Sequence, residues 1–484
     1  MPFPPTVLFT FVLVLLLLYA ASLFVPEMLQ GPLLVCAAVM IVVVAFTSVE
    51  LTLYMLIFST LLSPEITFSG TGVAEIAGGR VSTTESRGVT IRLDDILLTL
   101  VCLTWLFRMA IHKELGSVRE TPINQAVGWY WLTTFFATLI GFYSGKVGAY
   151  GFFFVLKYLE YFLLFYMVMN HLHDHETIKR FLLVLLFTCF IASLAGISQI
   201  PSGARVSAPF EGLEGEPNTF GGYLMLMFSV VLGMLLYTPR GKRRAMLVAM
   251  LGIILIPFVF TESRSSYLSF VVAMGLFIVF SKKKRLLIVG ALVGLSLAPV
   301  VVPQNVIDRV MFTFTQAEQA GQLSVGGLKI DTSTTERLKS WENVLTEQFP
   351  QNPFLGVGVT GGGFLDAQYP RVLLETGMIG LILFLWLLRR IWVLLRRCYA
   401  EIEDRLMKGA ALGAICGYGG LLVHAIGANS FIIVRIMEPF MIIIGLLFAT
   451  LLIEEQLKIR EQQKIRAKEN PFVDDEGLQS QPGA

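Results

Sequence analysis

Residues 218–302 read NTFGGYLMLMFSVVLGMLLY-TPRGKRR-AMLVAMLGIILIPFVF-TESRS-SYLSFVVAMGLFIVF-SKKKR-LLIVGALVGLSLAPVVV. Four apolar runs are separated by a basic turn, a short turn rich in hydroxyls, and a second basic turn. Runs of this length with almost no charge are membrane-span material, because a bilayer core takes about 20 apolar residues of helix. Lys and Arg collect on the cytoplasmic side of such spans. The alternation therefore gives the spans a direction, with 239–244 and 282–285 inside and 261–265 outside.

The rest of the chain agrees. Of its 484 residues 55% are apolar and 15% charged, with a mean hydropathy of +0.71, against roughly a quarter charged in soluble domains. That excludes soluble, collagen-like, disordered and disulfide-rich secreted classes. The formal net charge of +2 says little about partners, since charge in a membrane protein is sorted by side. Apolar runs lie near 6–25, 31–46, 50–63, 92–111, 126–142, 150–170, 181–200, 218–237, 245–260, 266–280, 286–302, 370–395, 408–428 and 431–453. The second and third are short, so the expected fold is an all-α polytopic integral membrane helical bundle of about 12–14 spans. The first run lacks a basic leader and a small-residue cleavage site, and reads as a retained span. The cysteines (36, 102, 189, 398 and 416) have no metal-ligand spacing. There is no internal repeat.

Basic turns inside, together with Arg389, Arg390, Arg396 and Arg397 and the basic tail, put both termini in the cytoplasm. The long polar segments outside are then 64–91, 201–217 and 303–369. The last is far longer than a helix connection needs. Ser333 and Glu336 form a capping box ahead of Leu338, Trp341, Val344 and Leu345 at helical spacing. Val306, Val310, Met311 and Phe314 suggest a second amphipathic helix. The organisation expected is an N-terminal bundle over 1–302, a large, partly helical outer loop near 303–369, C-terminal spans over 370–453 and a disordered cytoplasmic tail over 454–484.

Charge placed at the outer ends of spans is where chemistry is sought. Arg205 precedes Glu211, Glu214 and Glu216; Arg264 sits in the turn TESRSS; Arg337 lies on the loop helix; Arg435 lies just inside the last span. Several arginines at one outer face suit a lipid-linked phosphate, since the guanidinium fork matches phosphate oxygens. Each could equally neutralise a nearby carboxylate or reach to headgroups. Asp366, where the chain returns to the membrane, is either a general base beside apolar surface or a helix N-cap. Glu375 can pair with Arg371 one turn earlier. Lys157 with Glu160, and Arg435 with Glu438, repeat an i,i+3 spacing that reads as neutralisation within a span or as an ion site of a transporter. His171, His173 and His175 belong to a solvated loop. No Walker loop, dinucleotide fingerprint or nucleophile elbow is present.

Several segments together resemble the O-antigen ligase and polysaccharide polymerase superfamily: LDDIL at 93–97, KYLEY at 157–161, Arg205 with EPN at 216–218, TESR at 261–264, Arg337 with Trp341, NPFLGVG at 352–358, and DAQY at 366–369 followed by ETGMIG at 375–380. The resemblance covers roughly 90–450. It implies a metal-independent membrane glycosyltransferase of the C type, in the bacterial cytoplasmic (inner) membrane, with its site facing the periplasm. The donor would be a glycan on undecaprenyl pyrophosphate, the acceptor a glycan or a lipid. Further partners would be membrane lipids and other polysaccharide assembly or export proteins. No cofactor and no nucleic acid are implied. In the ligase branch a histidine and then an amide or hydroxyl residue precede a Gly-x-x-Gly. Here Gly377 and Gly380 are in register, while Asp366 and Ala367 take the other two positions, a pattern more like the polymerases.

The resemblance makes Asp366 the base for the acceptor hydroxyl, a role in which a carboxylate needs burial to work near neutral pH. Arg205 and Arg264, with Arg337 and Arg435, would bind the pyrophosphate. Glu214, Glu216, Gln368 and Tyr369 are the candidate acceptor or glycan contacts. The loop helices 305–317 and 334–349 would form a partial lid. The competing class is a transporter for the same lipid-linked oligosaccharides. It would not need the long outer loop, and transporters commonly show repeated halves.

Overall fold

A computed structural model describes residues 49–62, 120–209, 215–301, 332–363 and 365–469 continuously, together with two short ribbons and a few isolated positions. The candidate spans 6–25 and 31–46, the loop helix 305–317, most of the 92–111 span, Glu214 and the last residues of the tail lie outside the described residues. The fold is a helical bundle. Its only strands among the described residues are two minimal antiparallel ribbons, Glu65–Phe68 with Val89–Arg92 and Ser324–Val325 with Leu328–Lys329.

The helices are α1 (Val49–Leu62), α2 (Asn124–Tyr143), α3 (Tyr150–His171), α4 (His175–Gln199), α5 (Pro217–Tyr237), α6 (Lys242–Phe260), α7 (Arg264–Phe280), α8 (Lys284–Val301), α9 (Thr332–Asn343), α10 (Gln368–Glu401), α11 (Arg405–Gly427) and α12 (Val434–Glu469). Among the described residues seven helices are long and apolar enough to cross a membrane: α3, α4, α5, α6, α10, α11 and α12, with α1 and α7 shorter but apolar. Within the spans α12 is almost wholly enclosed, α5 and α11 nearly so, and α6 mostly exposed. The exposed surface of α6 and α8 is itself apolar, with Met246, Val248, Leu255, Leu286, Val289 and Leu292 outward. That is the surface a hydrocarbon solvent asks for.

Helices gain little hydrophobic drive to associate inside lipid, so close backbone approach does much of the work. Gly409, Gly413 and Gly417 recur every fourth residue on one face of α11 and meet α5. A Cβ on Gly413 would stand 2.4 Å from the Ser229 carbonyl oxygen, and one on Gly233 would stand 2.2 Å from that of Gly409. At the opposite edge, α10 is broken. Gly377 has φ 66° and ψ −166°, a conformation open essentially to glycine alone. The break frees carbonyls before it and N–H groups after it, and the NPFLGVG backbone satisfies both. Val357 and Gly358 donate to the carbonyls of Leu374 and Glu375 (2.9 Å each), while Met378 and Ile379 donate to those of Pro353 and Phe354 (2.8 and 3.2 Å). The same segment presses on α2, where Val359 N–H donates to Thr138 Oγ1 at 3.2 Å.

At the end of the bundle away from that segment, charge locks the helix ends. Asp404 caps α11 through the N–H groups of Leu406 and Met407 and pairs with Lys179 at 3.2 Å. Burial works to raise its proton affinity, but the Met407 N–H and the Lys179 ammonium together hold the carboxyl below its ordinary value. Glu454 accepts from the backbone N–H groups of Glu403 and Asp404, and Arg397 and Lys458 pair with Glu455 and Glu403. These ties explain a departure from expectation: α12 does not stop near 453 but runs to Glu469. Its extension is built of Glu, Gln, Lys, Arg, Leu, Ile and Ala, mostly strong helix formers.

Candidate active site

The other end of the bundle gathers 200–209, 261–264, α9, 352–367 and 428–434. Arg205 lies across the end of α6, its Nε donating to the Thr261 carbonyl (3.1 Å) and an Nη to that of Glu262 (3.2 Å). Those carbonyls are orphan acceptors of a helix C-terminus, where a cation is favoured. Val206 N–H adds a bond to the Phe260 carbonyl. Arg205 thus holds a turn in which Glu262 has φ 49°, a left-handed conformation that a non-glycine residue keeps only under constraint.

Arg264 follows directly, as the first residue of α7, behind the N-cap Ser263, whose Oγ accepts from Ser266 N–H. A cation here opposes the helix dipole, at a cost of about 0.3–1 kcal/mol. Helix stability therefore does not account for an arginine at this position. The side chain is half-buried.

Arg337, on α9, donates to Asp366 Oδ2 at 2.9 Å, with the two side chains 29% and 34% exposed. Asp366 is not the helix cap: α10 begins at Gln368, its cap position is Ala367, and no side chain caps it. Deep burial of the carboxylate, which the base reading asked for, is not found either; an arginine partner stands there instead. The return segment is held on both sides. Asn429 Nδ2 donates to the Leu365 carbonyl (2.8 Å) and Phe431 N–H to Gln368 Oε1 (3.1 Å). Tyr369 O–H donates to the Leu422 carbonyl (2.7 Å).

The remaining candidates divide. Arg435 is 3% exposed and donates to the Pro209 carbonyl at 2.9 Å, beneath the Arg205 segment. Glu216 accepts from Thr219 Oγ1 in the first turn of α5. Gln368 and Tyr369 each spend a polar atom on holding helices together. Glu375 pairs with Arg371 at 3.0 Å as its spacing suggests, both largely buried, and also accepts from Thr360 N–H at 3.2 Å, tying the glycine turn 356–363 to α10. For Lys157 the structure supplies a partner from the LDDIL segment, Asp95, at 3.0 Å. Among the described residues no group of three His, Cys, Asp or Glu is placed to hold a metal.

One residue escaped the sequence reading. His424, fully buried in α11, bonds Ser266 Oγ through Nε2 (3.1 Å) and Ser430 Oγ through Nδ1 (2.7 Å). Arg337 lies within electrostatic range of it. The signal was available: of five histidines in the chain, it is the one inside an apolar run, where an ionisable residue is costly and rarely idle.

Among curated proteins none matches the chain. The family model described as O-antigen ligase matches residues 249–385, from the second half of α6 through the 261–264 turn, α9 and the Arg337–Asp366 pair to the middle of α10. Over residues 249–385, then, this membrane-spanning chain is similar to the O-antigen ligase family.

Proposed function

We propose that the chain transfers glycan from undecaprenyl pyrophosphate to a sugar hydroxyl at the outer face of the bacterial cytoplasmic membrane, as a polysaccharide polymerase in preference to a ligase. The observation that carries this reading is the 2.9 Å pair between Arg337 and Asp366, at the bundle end where Arg205 braces the turn that leads into Arg264. Three cations and a carboxylate at one rim are the equipment of a pyrophosphate-leaving glycosyl transfer. The positive-inside rule turns that rim outward, with both termini inside.

In the proposed step the acceptor hydroxyl oxygen attacks the anomeric carbon, and the bond from that carbon to the pyrophosphate oxygen breaks. Undecaprenyl pyrophosphate leaves with the electron pair, and Asp366 takes the hydroxyl proton. Arg264 and the donors that Arg205 does not spend on the turn would meet the pyrophosphate charge. Pyrophosphate would also draw the Arg337 guanidinium away from Asp366, freeing the carboxylate only when a donor is present. Gln368, Tyr369 and Glu216 would shape the acceptor side. Arg435, buried under 209, supports the floor.

Purified protein in lipid nanodiscs, given an undecaprenyl-pyrophosphate-linked oligosaccharide, tests this. A ladder of lengthening chains from the donor alone is the result expected of a polymerase. A single acceptor-dependent product would make it a ligase. No bond formation with matched donors, together with flipping of the labelled lipid, would overturn the reading in favour of a transporter.

A further inference from the structure

The buried polar thread through His424 has a direction. Ser266 O–H donates to Ser263 Oγ (2.7 Å), and Ser263 O–H donates to Asn218 Oδ1 (2.7 Å). With its proton spent on Ser263, Ser266 Oγ accepts at its 3.1 Å contact with His424, so Nε2 carries the ring proton. Nδ1 then accepts from Ser430 O–H at 2.7 Å. A neutral imidazole has one donor and one acceptor nitrogen, and here both are used. The thread runs Ser430, His424, Ser266, Ser263, Asn218.

Its two arms end at the two halves of the proposed site. On one arm Ser266 belongs to the first turn of α7, two residues beyond Arg264. On the other, Ser430 stands between Asn429 and Phe431, which hold the Leu365 carbonyl and Gln368, the residues on either side of Asp366 and Ala367. In a low-dielectric interior a satisfied thread of this kind is rigid, and cutting one link leaves a buried group without its partner. We infer that His424 is a positioning residue that sets Arg264, on the donor side, against Asp366, on the acceptor side. The inference rests on the proposed glycosyl transfer. His424 touches neither substrate.

The arms can be cut separately. The amide of an Asn reaches about as far as Nδ1, and that of a Gln about as far as Nε2. His424→Asn therefore keeps the Ser430 link and loses Ser266, while His424→Gln does the reverse. In nanodiscs with the undecaprenyl-pyrophosphate-linked donor, His424→Asn should raise the donor KM about tenfold and leave kcat nearly unchanged, the loss expected of one buried hydrogen bond. His424→Gln should lower kcat about tenfold at nearly constant donor KM. Ser266→Ala and Ser430→Ala should reproduce the respective patterns and carry the test if the histidine variants do not fold. Equal losses in both variants, tracking the amount of folded protein, would reduce His424 to a packing residue. Binding of undecaprenyl pyrophosphate separates this result from failure of the transfer reading. If wild type binds it but forms no glycosidic bond, a tenfold weaker affinity in His424→Asn alone still supports the positioning role. Equal affinities in wild type and both variants overturn it, and a wild type that neither binds nor transfers overturns both.

Discussion

Arg337 and Asp366 are 29 residues apart in the chain and 2.9 Å apart in space. That pairing changes what the aspartate has to do. In the proposed transfer its reactivity would be set by whether the arginine is engaged elsewhere, more than by burial. Asp366→Asn keeps the shape and a hydrogen-bonding partner for Arg337 but cannot accept a proton. Glycan transfer should fall roughly a hundredfold or more, with the amount of membrane-inserted protein and its melting temperature unchanged; near-normal transfer would leave Asp366 as an anchor for α9. Arg264→Lys tests the fork. A point charge replaces two parallel N–H donors, and losing one charge-assisted bond is worth about 1.5–3 kcal/mol. Turnover at limiting donor should drop by about tenfold or more, and wild-type rates would remove Arg264 from the donor site.

At the scale of elements, the break in α10 makes the site possible. The NPFLGVG segment fits between α2 and α10 only because backbone faces backbone. A Cβ on Gly377 would stand 2.4 Å from the Phe354 carbonyl, and one on Gly141 would stand 2.3 Å from that of Val357. Gly377→Ala therefore carries both a forbidden φ and a clash. It should destabilise the protein by about 1–3 kcal/mol from the backbone alone, read as a lower melting temperature in detergent and a loss of transfer through misplacement of Asp366. An unchanged melting temperature would mean that α10 runs straight there. This motif was visible as a string of glycines and a Gly-x-x-Gly. Its meaning was not, because neither half shows that it completes the hydrogen bonds of the other.

For the whole molecule, the alternation of basic and neutral turns predicts that one end of the bundle is cytoplasmic. In a cysteine-free background, Ser340→Cys, exposed on α9, should react with a membrane-impermeant maleimide added outside the cytoplasmic membrane. Lys242→Cys, at the start of α6, should react only after the membrane is opened. The reverse pattern would place the Arg337–Asp366 rim in the cytoplasm, where a periplasmic polymerase cannot use it. Local features carried the span pattern, the loop helix, the Arg371–Glu375 pair and the four arginines of interest, because each is a matter of residues within a turn or two. The neighbours of each arginine were not legible. Arg205 looked like a free phosphate ligand and is in part a cap for α6. Asp366 looked like a cap and is paired across the loop.

By itself the sequence determined that this chain spans a membrane many times and to which superfamily its later half is similar, since hydropathy and short motifs are local properties. Only the tertiary structure decided which charges meet. It joined Arg337 to Asp366 and Lys157 to Asp95, broke α10 at Gly377, and ran a thread of hydrogen bonds from Asn218 to Ser430 through a histidine that no spacing singled out. The physical reason is common to all four. A polar group drawn away from bulk water is stabilised by a partner wherever the fold brings one, and the separation of partners along the chain is set by helix packing, on which local pattern is silent.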